Sequence, residues 1–353
     1  MRFIGNKEKL INSIYHELSS RGIRGESFFD VFSGTANVGK FFKNKGYRVF
    51  SSDLLYFSYV LQKAYLENNN ELDFLGLEKY IKNNNTNNLF DTPLSLVVNY
   101  LNQIKGIEGF IYKNYSRKPT IHLEKPRMYF IEENAKKIDA IRITIEEWKN
   151  ENYINENEYF VLLACLIESV PYYANISGVY AAFQKKWDTR ALKEFRLREI
   201  NYIINSFKNY VFNSDSINLS NEIKADIVYL DPPYNHRQYA PNYHILETIA
   251  KYDNPEIKGV AGLRDYSEQK SKFCNKITAL KELKKIASNN NYKFLVLSYN
   301  SEGIMPQNEI MGILGNYGKT ELVEFSYLRF KSNNNGLSKT KKFIKEQLYI
   351  LKK

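Results

Sequence analysis

The sequence has 353 residues, of which 43% are hydrophobic and 15% aromatic, so it can bury a full core and wholesale disorder is excluded. Fifty Lys and Arg against 39 Asp and Glu give a formal charge of +11, which suits either a polyanionic partner or a lysine-rich soluble surface. The two cysteines do not have the spacing of a metal site or of a disulfide framework. No apolar run resembles a signal peptide or is long enough to span a membrane. We therefore expect a soluble, cytoplasmic protein without metal.

The first part of the chain predicts a strand–helix–strand unit. Apolar residues recur at helical spacing over residues 10–18, and Gly22 follows where a helix would end. Residues 27–32 form a short apolar strand, residues 38–45 a helix, and residues 47–52 a second strand that ends at Asp53. This order is typical of a parallel α/β sheet.

The alternation stops after a predicted helix over residues 54–67. Residues 68–190 show helical segments at 134–151 and 158–168 but no strands, and then a helix is predicted over residues 191–207. Strands follow at 210–213, 226–230 and 292–299, with a helix at 243–252, and residues 322–329 and 347–351 could pair at the sheet edge. The sequence thus predicts an α/β fold of doubly wound type, with residues 1–67 and 191–353 forming one domain and 68–190 a mostly helical insertion.

The strongest motif is Asp-Pro-Pro-Tyr at Asp231, Pro232, Pro233 and Tyr234, placed after a buried strand. Ligands of open α/β sheets bind at that edge. The Asp231 carboxylate and the Pro232 carbonyl could accept the two hydrogens of an exocyclic amine, while Tyr234 offers a face for stacking on a base. The alternative is a rigid strand-to-loop corner with an incidental tyrosine.

A second motif covers residues 30–39, DVFSGTANVG, where a turn of small residues follows a strand. Such a turn lets the backbone approach a ligand closely, and Asp53 at the end of the next strand could accept hydrogen bonds from a ribose. No Gly-Lys-Ser/Thr follows, so a phosphate-binding P-loop is not predicted.

Together these motifs resemble the D12 class (Dam-like, α-group) of adenine-specific DNA methyltransferases. Residues 2–7 resemble its N-terminal hydrophobic-Gly-x-Lys element, residues 32–36 its Phe-x-Gly-x-Gly loop, and Asp231 to Tyr234 its catalytic tetrapeptide. The resemblance implies a Rossmann-like methyltransferase sheet, S-adenosyl-L-methionine as cofactor, a flipped adenine as substrate, and a target-recognition role for the insertion. Residues assigned to the cofactor on this basis are Phe3, Gly5, Lys7, Asp30, Phe32, Ser33, Gly34, Thr35, Ala36, Asn37, Asp53, Leu54, Asp215, Ser216 and Asp231.

The sequence departs from the family pattern at Ala36, which replaces the second glycine of the loop. Alanine is small enough to keep such a turn if its φ is negative, so this departure bears on the shape of the loop more than on the function. Asp rather than Ser before the prolines favours adenine N6 over cytosine N4 within the resemblance. The alternatives are an RNA methyltransferase acting on an exocyclic amine and a catalytically silent nucleic-acid-binding protein on the same fold.

The resemblance implies double-stranded DNA as partner and no membrane, in a restriction–modification system or as an orphan methylase. A cognate restriction endonuclease would then be a functional rather than a physical partner. Candidate DNA contacts come from three segments, each with the alternative of an ordinary loop or buried turn. They are Arg117, Lys118, Ser177, Tyr180, Lys185, Lys186, Asn235, Arg237, Gln238 and Tyr239.

Overall fold

The structure of the protein, a computed structural model, describes residues 4–81, 91–215, 219, 222–328 and 343–353. The chain forms two compact units. The sheet unit comprises Ile4–Gln62, Asn205–Ala240 and Ser267–Lys353, and the helical unit is formed by Lys63–Ile204 and Pro241–Tyr266. The predicted split at residues 67 and 190, with its assignment of roles, remains a prediction.

Among the described residues of the sheet unit, seven strands form one sheet in the order β3-β2-β1-β4-β7-β9-β8. The first five in this order are parallel, whereas β9 is antiparallel to both β7 and β8. The strands are β1 Ser27–Asp30, β2 Arg48–Asp53, β3 Tyr210–Asn213, β4 Ile227–Leu230, β7 Phe294–Asn300, β8 Lys319–Leu328 and β9 Phe343–Lys352.

The chain order of the strands reverses between β1 and β4. From β1 the sheet extends outward through β2 and β3, and β4 then pairs with the other side of β1, with Phe28 opposite Ile227. A reversal of this kind opens a crevice at the carboxyl ends of the two strands, where α/β proteins bind ligands. Asp30 ends β1 and Asp231 directly follows β4, so both acids lie at this crevice.

The described sheet unit also contains five α-helices: α1 Ile11–Ser20, α2 Asn37–Asn44, α3 Tyr56–Gln62, α10 Lys276–Ser288 and α11 Gln307–Gly315. They bury apolar side chains at helical spacing, for example Ile11, Ile14 and Leu18 in α1. The Asn275 side chain accepts the Ile277 and Thr278 backbone N–H groups and so caps α10. Burial of these apolar faces fixes the helices against the sheet.

The described helical unit contains α4 Glu78–Ile81, α5 Pro93–Gln103, α6 Phe110–Tyr115, α7 Glu132–Asn150 and α8 Glu156–Ser169, together with the hairpin β5 Ile257–Lys258 and β6 Leu263–Arg264. A π-helical turn, Lys63–Glu67, follows α3. Helix α9, Ala240–Lys251, begins in the sheet unit and runs into the helical unit, with non-helical backbone at Tyr243. None of the described helices is both long and apolar enough to cross a bilayer.

The expected α/β fold with a mainly parallel sheet is confirmed, as is the pairing of the last two strands at the sheet edge. The helix predicted over residues 191–207 is wrong, because no helix forms there. The backbone N–H of Phe195 donates to Asn134 Oδ1 and that of Leu197 to Asn102 Oδ1, both at 2.8 Å. Side chains of neighbouring helices thus take donors that a helix would use, and the segment is irregular.

Candidate active site

The candidate site is centred on Asp231, which directly follows β4. Its Oδ1 lies 3.1 Å from the Lys7 ammonium, and that ammonium also donates to Glu346 Oε1 at 2.5 Å. Lys7 is held in place because its carbonyl accepts the backbone N–H groups of Leu10 and Ile11 at the start of α1. The motif lysine and the motif aspartate, far apart in sequence, therefore form one ion pair.

Lys7 is buried and Asp231 largely so, and this burial shifts the pKa values of both groups. Burial raises the pKa of Asp231 to about 6, with Lys7 lowering it and Glu346 raising it. For Lys7, burial alone would lower the pKa, but the charges of Asp231 and Glu346 outweigh it and raise the pKa. Above pH 6 an ionised Asp231 therefore faces a protonated Lys7.

The other three residues of the tetrapeptide, Pro232 to Tyr234, have restricted conformations beside Asp231. Pro232 and Pro233 are buried, and proline fixes φ while removing a backbone donor. Tyr234 is half-buried, packs partly on the apolar core of the sheet, and its carbonyl accepts the Ile304 N–H at 2.9 Å. Its ring position is thus fixed, and burial raises the pKa of its hydroxyl so that it stays neutral at physiological pH.

Asp30 is the second buried acid at the crevice. It is 1% exposed, and neither carboxyl oxygen has a hydrogen-bond partner of normal geometry among the described residues. Burial raises its pKa to about 8, with further increases from Asp231 and Asp53; the nearby N–H groups of Gly39 and Phe32 offset part of this rise. A buried carboxyl without partners is suited to a cationic ligand.

The loop after β1 has two residues in the left-handed region, Gly34 at φ 53° and Ala36 at φ 60°. The φ of Ala36 is thus positive, so the condition under which alanine would keep the turn without strain is not met. Ala36 directly precedes α2, and its left-handed backbone starts the helix as the family's glycine would. The left-handed conformation costs alanine about 1–2 kcal/mol, and burial of Ala36 in the core offsets part of this cost.

Neighbouring side chains and carbonyls stabilise this loop. Asp53, at the end of β2, accepts the Gly34 N–H at 2.8 Å and the Leu55 N–H at 2.9 Å. Asn37 donates to Thr35 Oγ1 at 3.1 Å and to Asn6 Oδ1 at 3.0 Å, which joins the loop to the N-terminal motif. The Ser33 hydroxyl is buried without a partner among the described residues, so it is available to a ligand.

The remaining predicted cofactor residues lie at the same sheet edge where they are described. Phe32 packs edge-on against Phe273, and Asp215, two residues past β3, pairs with Lys272 at 3.1 Å. The Leu54 carbonyl accepts the Gln269 amide at 3.4 Å. Phe3 and Ser216 lie outside the described residues.

Gly5 in the N-terminal motif has φ 81°, a conformation that favours glycine. A Cβ at this position would also lie 3.2 Å from the hydroxyl of Tyr239. The motif glycine thus permits both the turn before Lys7 and the close approach of the segment that follows the tetrapeptide.

That segment, residues 235–239, is attached to residues 271–274. Gln238 exchanges two hydrogen bonds with the Ser271 backbone, at 3.1 Å and 2.8 Å, and its DNA contact stays a prediction. Asn235 Oδ1 accepts the Arg237 N–H at 2.9 Å and tightens the turn. Arg237 itself is exposed.

In the helical unit, Asn175 closes the loop of residues 175–188. Its side chain donates to the carbonyls of Met128 and Gln184 and accepts the Asp188 N–H at 2.9 Å. Ser177, Lys185 and Lys186 in this loop are exposed, as are Arg117 and Lys118 in the segment after α6; these five side chains reach solvent.

Tyr180 is the exception in this loop, because it is only 1% exposed. Its N–H donates to the Asn242 carbonyl, and its own carbonyl accepts the Tyr129 hydroxyl and faces His244 Nε2 at 2.9 Å. The expected DNA contact of Tyr180 is therefore wrong for this structure, since its ring is part of the core.

Sequence reasoning missed three residues of the site. Glu346 on β9 binds Lys7, Ser298 on β7 donates to Glu346 at 3.0 Å, and the Ser214 hydroxyl is buried without a partner among the described residues. The only sequence signal for Glu346 was its spacing of two and four residues from Leu348 and Ile350, which are buried. Within the described residues, no group of three or more His, Cys, Asp or Glu could hold a metal ion.

Comparison with known proteins gives close relatives. Type II methyltransferase M.FokI of Planomicrobium okeanokoites is 43% identical over 340 residues, 95% of this chain and 50% of that protein. Modification methylase StsI of Streptococcus sanguinis is 37% identical over 358 residues, 100% of this chain and 52% of that protein. The chain thus spans about half the length of these two relatives.

Type II methyltransferase M.NlaIII of Neisseria lactamica is 38% identical over 336 residues, 94% of this chain and 93% of that protein. The profile of the D12 class N6 adenine-specific DNA methyltransferases matches residues 3–313, which include Lys7, the loop after β1 and the tetrapeptide. The chain belongs to the D12 class N6 adenine-specific DNA methyltransferase family.

Proposed function

We propose that this chain is a site-specific DNA methyltransferase that transfers methyl from S-adenosyl-L-methionine to N6 of a flipped adenine, in a restriction–modification system or as an orphan methylase. The observation that carries the proposal is Asp231, largely buried and ion-paired with Lys7 at the crevice between β1 and β4, in front of two buried prolines and a half-buried tyrosine. The relatives' names, which describe them as methyltransferases or modification methylases, support it.

The residues at the carboxyl end of the sheet suit this cofactor. The unpartnered Asp30 carboxyl would accept hydrogen bonds from its ammonium group, and the Ser33 hydroxyl would bind its carboxylate. Asp53 would accept hydrogen bonds from the ribose, and Asp215, at the end of β3, would contact the adenine. S-adenosylmethionine supplies the electrophilic methyl group when bound.

The remaining cofactor assignments follow from position. Gly34 and Ala36 would allow close approach of the backbone, with Phe32 and Leu54 beside the ring system. Phe3 and Ser216 are proposed from the family resemblance alone. The other members of the set are Gly5, Lys7, Thr35, Asn37 and Asp231.

At the target base, Asp231 and the Pro232 carbonyl would accept the two hydrogens of N6. These bonds orient the nitrogen lone pair and draw it out of conjugation with the ring. Tyr234 would stack on the base, a contact worth about 1–3 kcal/mol. Because N6 is inaccessible inside the stack, the base must be flipped out of the duplex. Positioning and exclusion of water would supply most of the acceleration.

Contacts with double-stranded DNA are proposed for the exposed basic and polar residues. Arg237 directly follows the target-base pocket and would bind a phosphate next to the flipped nucleotide, with Asn235 and Tyr239 beside it. In the helical unit, Lys185 and Lys186 share one closed loop with Ser177, and Arg117 and Lys118 share another segment. We assign residues 68–190 to recognition of the target sequence. A cognate endonuclease would be a functional partner only.

The test is methyl transfer from tritiated S-adenosylmethionine to unmethylated DNA or to total RNA, followed by nucleoside analysis. We expect label in N6-methyl-2′-deoxyadenosine, lost in Asp231→Ala and retained in Asp265→Ala, a control at an acid outside the proposed site. Label confined to RNA, or to N4-methylcytosine, would refute the proposal.

A further inference from the structure

Glu346 on β9 is a buried acid that reaches the candidate site through Lys7. Its Oε1 accepts from the Lys7 ammonium at 2.5 Å and from the Ser298 hydroxyl at 3.0 Å. The carboxylate is only 5% exposed, and β9 places it beside β7, with Asn300 opposite Glu346. The position is therefore set by the central sheet rather than by a loop.

Burial of a third charge beside the Asp231–Lys7 pair has a large desolvation cost, which must be offset by specific contacts. Lys7 alone could neutralise Asp231, so stability of that pair does not require a second carboxylate. Glu346 also lies outside residues 3–313, the part of the chain matched by the family profile. The motifs that define the family therefore leave the role of this acid open.

We propose that Glu346 is a positioning residue for methyl transfer, acting on Asp231 through Lys7. It holds the Lys7 ammonium between the two carboxylates, with the Lys7 contact on Asp231 made to Oδ1 at 3.1 Å. The other Asp231 oxygen then remains an acceptor for the N6 amine. This inference rests on the proposed function.

Removal of the Glu346 charge would have two effects at Asp231. The ammonium would be free to move toward Asp231 and engage both of its oxygens, which weakens the acceptor for N6. The negative charge that now raises the pKa of Asp231 would also be lost, so its pKa would fall. The groups that face Asp231 in the sheet unit are Lys7 before α1, Asp30 on β1, Tyr229 on β4, Tyr234 after it, and Glu346 on β9.

The experiment is single-turnover methylation of DNA from pH 5 to pH 8 by wild type and Glu346→Gln, at saturating S-adenosylmethionine. We expect the maximal rate of Glu346→Gln to fall about tenfold and its acid limb to move to lower pH, with cofactor affinity within about twofold of wild type. Glu324→Gln is the matched control, because Glu324 lies on the adjacent strand β8 and pairs with Lys345, away from Lys7. It should behave as wild type.

Ser298→Ala keeps all charges and removes only the hydroxyl that holds Glu346. It should slow methylation about threefold without moving the acid limb, which tests the inference even where Glu346→Gln fails to fold. Wild-type rates and an unmoved acid limb in a folded Glu346→Gln, or a wild-type rate in Ser298→Ala, would overturn the inference alone. An inactive wild type would overturn the proposed function and this inference with it.

Discussion

Replacement of Asp30 by Asn should stabilise the fold while weakening cofactor binding. Asp30 is 1% exposed and neither carboxyl oxygen has a normal hydrogen-bond partner in the described part of the chain. Asn has nearly the same shape but no proton to lose. The variant therefore removes the cost of burying a titratable acid and leaves the packing of β1 unchanged.

The magnitude follows from the pKa of Asp30, which burial raises from 3.8 to about 8. As pH rises from 4 to 8, the unfolded chain releases this proton while the folded protein keeps it, so the folded state loses stability progressively. A rise of about 4 units sets a ceiling of about 5 kcal/mol at pH 8. Water entry and relaxation reduce this, and we expect Asp30→Asn to gain about 2 kcal/mol at pH 8 and almost nothing at pH 4.

The assay is urea unfolding of wild type and variant at several pH values without cofactor. Asp226→Asn is the control, because that carboxylate accepts from the Glu26 and Ser27 N–H groups and pairs with Lys293, so its pKa is lowered. The same substitution there should destabilise the protein. An Asp30→Asn variant less stable than wild type at pH 8, or a gain independent of pH, would refute the reasoning.

Three further predictions test the loop, the tetrapeptide and the DNA contacts. Ala36→Gly should relieve the left-handed alanine and leave unfolding free energy unchanged or raised by up to about 1 kcal/mol in urea titration; a clear loss of stability would contradict the assigned φ of 60°. The methylation rate of wild type should fall as pH drops below about 6, because Asp231 must be ionised to accept hydrogen bonds from the amine. A methylation rate that stays unchanged down to pH 4.5 would contradict that role. The double variant Lys185→Ala/Lys186→Ala should weaken DNA binding, with a slope of log affinity against log salt shallower by about 2, while Lys284→Ala on α10 should not; equal slopes would exclude the loop from the interface.

The fold was largely predictable because its signals are local. Short apolar runs that end in Asp53 or Asp231 mark strands whose ends meet at one edge of a parallel sheet, and the structure places them there. The helix predicted over residues 191–207 failed for a non-local reason. Side chains from other helices, among them Asn134, take its backbone donors, and no pattern within the segment encodes that.

The site was predictable only in part for the same reason. Lys7 and Asp231 came from motifs, but Glu346 is 339 residues from Lys7 and carries no motif of its own. Burial of Tyr180 and the hydrogen bonds between Gln238 and Ser271 depend on tertiary contacts, which no pattern near these two residues encodes. Charge and aromatic content indicate a kind of partner, whereas the fold decides which residues meet it.

The most direct test of the central claim is expression of the chain in a bacterial host free of DNA methylation, followed by genome-wide mapping of modified bases. We expect N6-methyladenine at a single short sequence motif, absent when Asp231→Ala is expressed to the same level. An unmodified genome with folded wild-type protein, or methylation of cytosine instead, would contradict the account.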